Sequence, residues 1–150
     1  MTRRFLLLLA FSVMYGSPAP AGSAVEFDNV EYIAMSQAGA KARGVRGVLT
    51  FDVVAKVVRF SAEGTLFETP FSKIASLVYE RAASPRFALG MTVAWPLLFT
   101  KTRKHFLTVE YKDSQAKGTV AFFRLDKRNF REILATAESQ TGMRVERHEE

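Results

Sequence analysis

The sequence predicts a mainly β domain of about seven antiparallel strands, capped by one C-terminal amphipathic helix. Short runs of β-branched and aromatic residues follow one another along the chain, with turn residues between them. After Leu125 the apolar period changes from two residues to about 3.6, as it does where a strand gives way to a helix. The chain has 150 residues, of which 48% are apolar, and this is enough to bury one core without disulfides or a metal.

The first 24 residues have the order of a secretory signal peptide, so they are not assigned to the fold. Arg3 and Arg4 begin the segment, an apolar run follows, and a small-residue stretch offers cleavage after Ala21 or after Ala24. The apolar run, residues 5–15, is well short of the roughly 20 residues that span a bilayer, which argues against an uncleaved anchor. We therefore expect an exported protein that is periplasmic or extracellular after cleavage.

The β-prone runs of the mature chain place its strands. Residues 30–35 form one candidate strand, and Lys41, Arg43 and Arg46 then alternate with glycines in a pattern typical of a basic loop. We accordingly assign residues 25–46 to an N-terminal strand and basic loop, and residues 47–145 to the main domain. Its predicted strands are residues 47–52, 57–60, 65–69, 74–81, 105–111 and 119–125, of which the last two form the clearest hairpin.

A single helix is predicted after Leu125. Phe130, Ile133, Leu134 and Ala137 recur at helical spacing and form an apolar stripe of about four turns that packs on the sheet. Asp126 is the candidate N-cap, and Gly142 stands where a C-cap glycine belongs. Arg128, Arg131, Glu132 and Glu138 lie off the stripe and are expected in solvent. Residues 146–150 are expected to form a charged, frayed tail.

This order of strands and helix resembles the pleckstrin-homology-like (PH-like) barrel. That superfold includes the GRAM-type domains and many small bacterial PH-like proteins of unknown role. The resemblance covers residues 44–145 and rests on residues 47–51, 67–79, 104–111 and 120–125 leading into the helix. It implies a PH-like antiparallel barrel or sandwich that acts as a binding module, with no catalytic mechanism. The basic motif with which the family binds inositol lipids lies in the first hairpin, where this chain offers only Lys56 and Arg59, so that ligand is not carried over.

Catalytic and metal-binding signatures are missing from the sequence. It contains no cysteine, no nucleophile elbow, no phosphate-binding glycine loop and no zinc-protease motif. Of the two histidines, His148 lies near the chain end, and His105 follows a run of cations and is expected at a strand edge. Carboxylates such as Asp52, Glu68, Glu110 and Asp113 are scattered over different predicted strands. We therefore expect neither an enzyme nor a protein that holds a cofactor or metal.

One segment departs from an ordinary domain pattern. Residues 87–99 carry no charge, and cations stand on both sides of them. Two buried strands broken by Gly90 and Pro96 are the plain interpretation. An exposed loop that contacts a membrane interface or a partner protein, and a small apolar pocket inside the barrel, are the alternatives. The candidate interaction residues are Trp95, Phe99, Lys101, Arg103 and Lys104.

The function predicted from the sequence is that of a non-catalytic, exported binding module. Its partner would be a protein or a membrane surface, and residues 87–104 would contact it. Nucleic acid is not expected, because removal of Arg3 and Arg4 leaves only a small basic surplus. The alternative is a lipocalin-like carrier of a small apolar ligand, which eight or more strands around an open cavity would favour.

Overall fold

The computed structural model describes residues 24–34, 43–82 and 102–149. It confirms a mainly β fold with one α-helix. A 3₁₀ turn, Phe71–Lys73, joins the fourth strand to the fifth. The elements are β1 (Ala24–Ala34), β2 (Arg43–Asp52), β3 (Val57–Ala62), β4 (Thr65–Pro70), β5 (Ile74–Ala82), β6 (Lys104–Lys112), β7 (Gly118–Leu125), α1 (Phe130–Thr141) and β8 (Val145–Glu149).

All eight strands belong to one sheet, in the order β4-β3-β2-β1-β7-β6-β5-β8. Every neighbouring pair is antiparallel except β5 and β8, which run parallel, and the strands that the structure describes do not close into a barrel. Strand β1 joins the two halves, because it pairs with β2 along most of its length and with β7 only from Glu31 to Ile33. A bulge between Phe27 and Val30 interrupts the first pairing, and Asn29 has a φ of 59° there. Since a bulge bends and twists a strand, β1 can serve both halves.

The two halves of the sheet face each other across an aromatic core. Phe123 on β7 is fully buried, and its ring centroid lies 5.8 Å from that of Phe60 on β3 and 5.6 Å from that of Phe67 on β4. Tyr32 of β1 lies 5.5 Å from the same ring. The predicted helical stripe packs into this core, where Ile133, Leu134 and Ala137 are buried. This arrangement is a PH-like sandwich with a C-terminal helix.

The β6–β7 hairpin is confirmed, and both of its faces are buried. His105 pairs with Leu125 at one end of the hairpin, and Lys112 pairs with Gly118 at the other. Leu107 and Val109 point into the core, as the alternation predicts. The opposite face is equally dry at Phe106, Thr108 and Phe122, which are no more than 2% exposed. The two strands of this hairpin therefore do not have one buried face and one solvent-exposed face.

The helix ends differ in how well the sequence predicted them. Gly142 is the C-cap as predicted, with a φ of 70°, and its N–H donates to the Glu138 carbonyl over 3.0 Å. Asp126 as N-cap is wrong, because Asn129 occupies that position and α1 has 12 residues, about three turns. Asp126 instead closes the preceding turn, where its Oδ1 accepts the Arg128 N–H over 2.9 Å. The Asn129 side chain donates to the Asp28 carbonyl over 2.9 Å, which ties the helix start to the β1 bulge.

The frayed tail predicted for residues 146–150 is also wrong. Those residues up to Glu149 belong to β8, which extends the sheet alongside β5. Val145 is buried in the core, and its N–H donates to the Glu138 carboxylate over 3.0 Å. The sequence did not predict this strand, because most of its side chains are charged. Backbone hydrogen bonds and one buried apolar residue hold it in place, and it has no apolar face.

The N-terminal assignments need two corrections. The first strand starts at Ala24 rather than near Val30, because the bulge breaks the alternation by which a strand is recognised. The expected basic loop is wrong at Arg43 and Arg46, since both lie in β2. Gly44 and Gly47 belong to the same strand, and each permits a close approach that a Cβ would block, to the Glu31 side chain and to the Ser61 carbonyl respectively. Lys41, Gly39 and residues 87–99 lie outside the described residues.

Candidate functional site

Basic side chains converge where β5 and β7 end and β6 begins. They line a cleft of about 450 Å³ beside the β1 bulge. Arg81 and Thr102 both line this cleft, one on each side of residues 83–101 in the sequence. We call it the basic cleft. Its lining is Asn29, Glu31, Arg46, Arg81, Thr102, Arg103, Lys104, His105, Arg124, Leu125, Asp126 and Lys127.

The two carboxylates of the basic cleft each have an arginine partner. Glu31 forms an ion pair with Arg124, and their side chains are only 16% and 25% exposed. Glu31 stands opposite Arg124 in the β1–β7 register and opposite Arg46 in the β1–β2 register, so one carboxylate lies between two arginines. Burial lowers the pKa of the Arg124 guanidinium below its ordinary value. The charges of Glu31 and Arg124 therefore cancel each other, and the positive charge of Arg46 is left over in the cleft.

Asp126 is satisfied in the same way. Its two carboxylate oxygens accept hydrogen bonds from the Arg128 side chain over 3.1 and 3.3 Å. These bonds hold the pKa of Asp126 below its usual range, so the group is a carboxylate at neutral pH. Arg128 itself is not part of the lining. The exposed Lys127 next to this pair adds a further positive charge to the cleft.

A second cleft of about 460 Å³ adjoins the first and shares Arg81 and His105 with it. We call it the arginine cleft. Three elements each give it one guanidinium, from Arg81 on β5, Arg131 on α1 and Arg147 on β8. No carboxylate lines it among the residues that the structure describes. The remaining lining is Tyr79, His105, Phe130 and Leu134.

Three aromatic rings form one wall of the arginine cleft. The His105 ring stacks on Phe130 with 3.9 Å between centroids and 13° between planes. The buried Tyr79 lies beside them, and its hydroxyl forms a 2.7 Å hydrogen bond with Nδ1 of His105. The Arg131 guanidinium lies 5.6 Å from the Phe130 ring centroid. Since each ring is held by another, the wall is fixed before any ligand arrives.

The two clefts together concentrate positive charge. Of the residues that the structure describes, 8 of the 16 lysines and arginines line the clefts, against 2 of the 14 aspartates and glutamates. Both of those acids are already paired with arginines. A concave surface with charge of one sign concentrates ions of the opposite sign, so these clefts suit an anionic ligand or partner.

The predicted interaction residues are only partly described. Arg103 and Lys104 line the basic cleft, whereas Trp95, Phe99 and Lys101 lie outside the described residues. Sequence reasoning missed the other cations, because they come from β2, β5, β7, α1, β8 and the turn between β7 and α1. The available signals were weak. Arg46 stands in a short basic run, and Arg124 interrupts an otherwise apolar strand.

Metal-binding groups and membrane-spanning helices are both absent from the described residues. They bring together no group of three or more His, Asp or Glu side chains that could hold a metal ion. Within the same ranges, no helix is long and apolar enough to cross a membrane. His148 is exposed on β8, outside both clefts.

Comparison with solved structures supports the fold. The chain is similar to one in the solved structure titled "Structure of the Spt16D Pob3N heterodimer", with a TM-score of 0.52 and 14% sequence identity. The alignment covers 85% of this chain and 55% of that one, so this protein spans little more than half its neighbour's length. The likeness bears out the PH-like β fold. No protein-family model matches the sequence, and no curated protein is similar to it at the level of sequence.

Proposed function

We propose that this protein is a non-catalytic binding module that engages an acidic segment of a partner protein at the basic cleft. The observation that carries the proposal is the surplus of cations in that cleft. Its two acids are paired with Arg124 and Arg128, so the charges of Arg46 and Lys127 are not cancelled there. Exposed charges of this kind steer a partner and set its orientation, and they add modestly to affinity.

A protein partner is favoured over a bilayer by the shape of the surface. The cations line a concave cleft, which fits an extended segment with acidic side chains. A bilayer presents a flat anionic surface, and it would contact the rim of a cleft more readily than its floor. The similar solved chain comes from a heterodimer, which is in keeping with a protein-binding role for this type of fold.

The carrier of a small apolar ligand has less support than the module. A carrier needs an open interior, but the described interior holds the packed rings of Phe60, Phe67 and Phe123 together with the helical stripe. The eighth strand does not enclose a cavity, because it adds to the outer edge of an open sheet. We therefore propose the module alone.

Export of the protein is part of the proposal. The signal-peptide order of residues 1–24 supports it. Cleavage after Ala21 would leave every described residue in place, and cleavage after Ala24 would remove only the first residue of β1. The partner would then be met outside the cytoplasm.

The experiment measures binding of an unlabelled oligo-glutamate peptide to the protein by isothermal titration calorimetry. We expect saturable binding that weakens as salt is raised from low to physiological ionic strength. The double variant Arg46→Gln/Lys127→Gln should bind about tenfold more weakly, since two exposed ion pairs at roughly 0.7 kcal/mol each amount to one factor of ten. The matched control is Lys73→Gln/Lys117→Gln, which removes two exposed cations outside both clefts.

The control separates a specific cleft from general attraction to a basic protein. Equal losses in the two double variants would mean that net charge alone holds the peptide, and the proposal would fail. Co-sedimentation with anionic phosphatidylserine vesicles tests the bilayer. Binding to vesicles without binding to the peptide would replace the protein partner with a membrane surface.

A further inference from the structure

We propose that the arginine cleft is a separate binding site for a small organic anion that joins a carboxylate or phosphate group to an apolar ring. This inference does not rest on the proposed function, because it concerns a different cleft and a different class of ligand.

The anionic group is assigned from the three guanidiniums. Arg81, Arg131 and Arg147 approach the cleft from a strand, a helix and a second strand, so an anion between them would be met from several directions. Arg147 also forms a 3.3 Å ion pair with Glu138, which orients its guanidinium but offsets part of its charge, so most of the positive charge of this cleft comes from Arg81 and Arg131. The planar fork of arginine donates two parallel hydrogen bonds to a carboxylate or phosphate. The shared chemistry of the ligand is therefore a planar or tetrahedral oxyanion.

The apolar group is assigned from the aromatic wall. Phe130 is half-buried and stacked on His105, and the hydrogen bond between the Tyr79 hydroxyl and His105 Nδ1 fixes the second ring. Leu134, one turn further along α1, continues the apolar surface. Because the Arg131 guanidinium lies 5.6 Å from the Phe130 centroid, an anion bound to Arg131 would hold its organic part within reach of this wall. Offset stacking on a fixed ring favours an aromatic substituent.

The size of the arginine cleft also favours an anion that carries a ring. Its volume of about 460 Å³ falls within the roughly 300–1,000 Å³ usual for small-molecule sites and far exceeds that of a bare phosphate ion. A bare anion would meet the arginines and leave the apolar wall in contact with water. An anion that carries a ring fills both parts. The last strand has a role in this arrangement, because β8 supplies Arg147 and completes the cleft.

The test compares four probes on the full-length protein by NMR titration. Phenyl phosphate and benzoate carry both features, inorganic phosphate carries only the anion, and benzyl alcohol carries only the ring. We expect saturable binding of phenyl phosphate, of benzoate or of both, and at least tenfold weaker binding of inorganic phosphate and benzyl alcohol. The tighter of the two aromatic anions identifies the head group. Equal affinity for phenyl phosphate and inorganic phosphate would refute the apolar half, and no saturable binding by either aromatic anion would overturn the site.

Variants place the ligand in this cleft. Arg131 is exposed and lines only the arginine cleft, so Arg131→Gln should fold normally and weaken the aromatic anion about tenfold. Phe130→Leu should weaken phenyl phosphate while leaving inorganic phosphate unchanged. Lys73→Gln is the matched control and should change neither probe. If Arg46→Gln weakens binding and Arg131→Gln does not, the anion occupies the basic cleft, and the separate site is refuted.

Discussion

Phe123→Ala tests whether the two halves of the sheet depend on one aromatic cluster for their packing. The side chain is fully buried, and three rings lie within 6 Å of its centroid, those of Tyr32, Phe60 and Phe67. Removal of a buried phenyl ring costs about 3–5 kcal/mol in general. Each aromatic pair adds about 0.5–1.5 kcal/mol beyond burial, which places this position near the upper limit. We therefore expect the free energy of unfolding to fall by about 5 kcal/mol.

The assay is equilibrium unfolding in urea, followed by circular dichroism, with the midpoint and the slope fitted separately. Since a domain of this size is stable by roughly 5–15 kcal/mol, Phe123→Ala could fail to fold altogether. Phe123→Leu covers that outcome, because it keeps most of the volume, loses the ring contacts and should cost about 1–2 kcal/mol. The matched control is Leu66→Ala on the edge strand β4, where the side chain is 72% exposed and the change should stay within about 0.5 kcal/mol.

The reasoning would be refuted if Phe123→Ala cost less than about 1 kcal/mol, or no more than Leu66→Ala does. Such a result would mean that the halves are held together by the backbone pairing of β1 with β7, without help from the facing rings. A changed slope with an unchanged midpoint would also count against it, because that pattern reports a change in the compactness of the unfolded or folded state.

Three further outcomes are expected. Gly47→Ala should cost about 2 kcal/mol and Gly44→Ala less, as compared by urea midpoints, because a Cβ at Gly47 meets backbone, whereas one at Gly44 meets a side chain that can move. The free energy of unfolding should fall above about pH 10, and it should fall less in the variant Tyr111→Phe. Burial raises the pKa of the Tyr111 hydroxyl, so the unfolded chain loses this proton first; urea midpoints measured across this pH range provide the test. Mass spectrometry of protein from its native host should find an N-terminus near Gly22 or Val25, and retention of Met1 would contradict export.

The fold class was predictable because most of its strands are bounded by turn residues and bury apolar side chains. The β6–β7 hairpin was predicted from the β-prone runs at residues 105–111 and 119–125, and α1 was predicted from the change of apolar period after Leu125. Prediction failed where structure depends on backbone pairing. Strand β8 carries charged side chains over most of its length and has one buried residue, Val145, so no periodicity marks it. The bulge in β1 likewise hid the first part of that strand.

The candidate sites were largely unpredictable, for a different physical reason. A cleft depends on which residues the topology brings together, and Arg46, Arg81, Arg124 and Arg147 are far apart in sequence. Each of them alone looks like an ordinary solvated charge. The sequence drew attention only to Arg103 and Lys104, because cations beside an apolar run are a local pattern, and their role in binding stays a prediction.

The place of these clefts follows from the physics of the sheet. In the middle of β5 to β7 both faces are buried, so a charged side chain there would lose its hydration and destabilise the fold. Near the strand ends this constraint relaxes, and Arg81, Lys104 and Arg124 all lie within two residues of an end. The helix start and β8 reach the same corner and bring Arg131 and Arg147 to it. The protein can therefore gather cations here without weakening its core, and substitutions of exposed cations such as Arg46, Lys127 and Arg131 should alter binding while the fold remains intact.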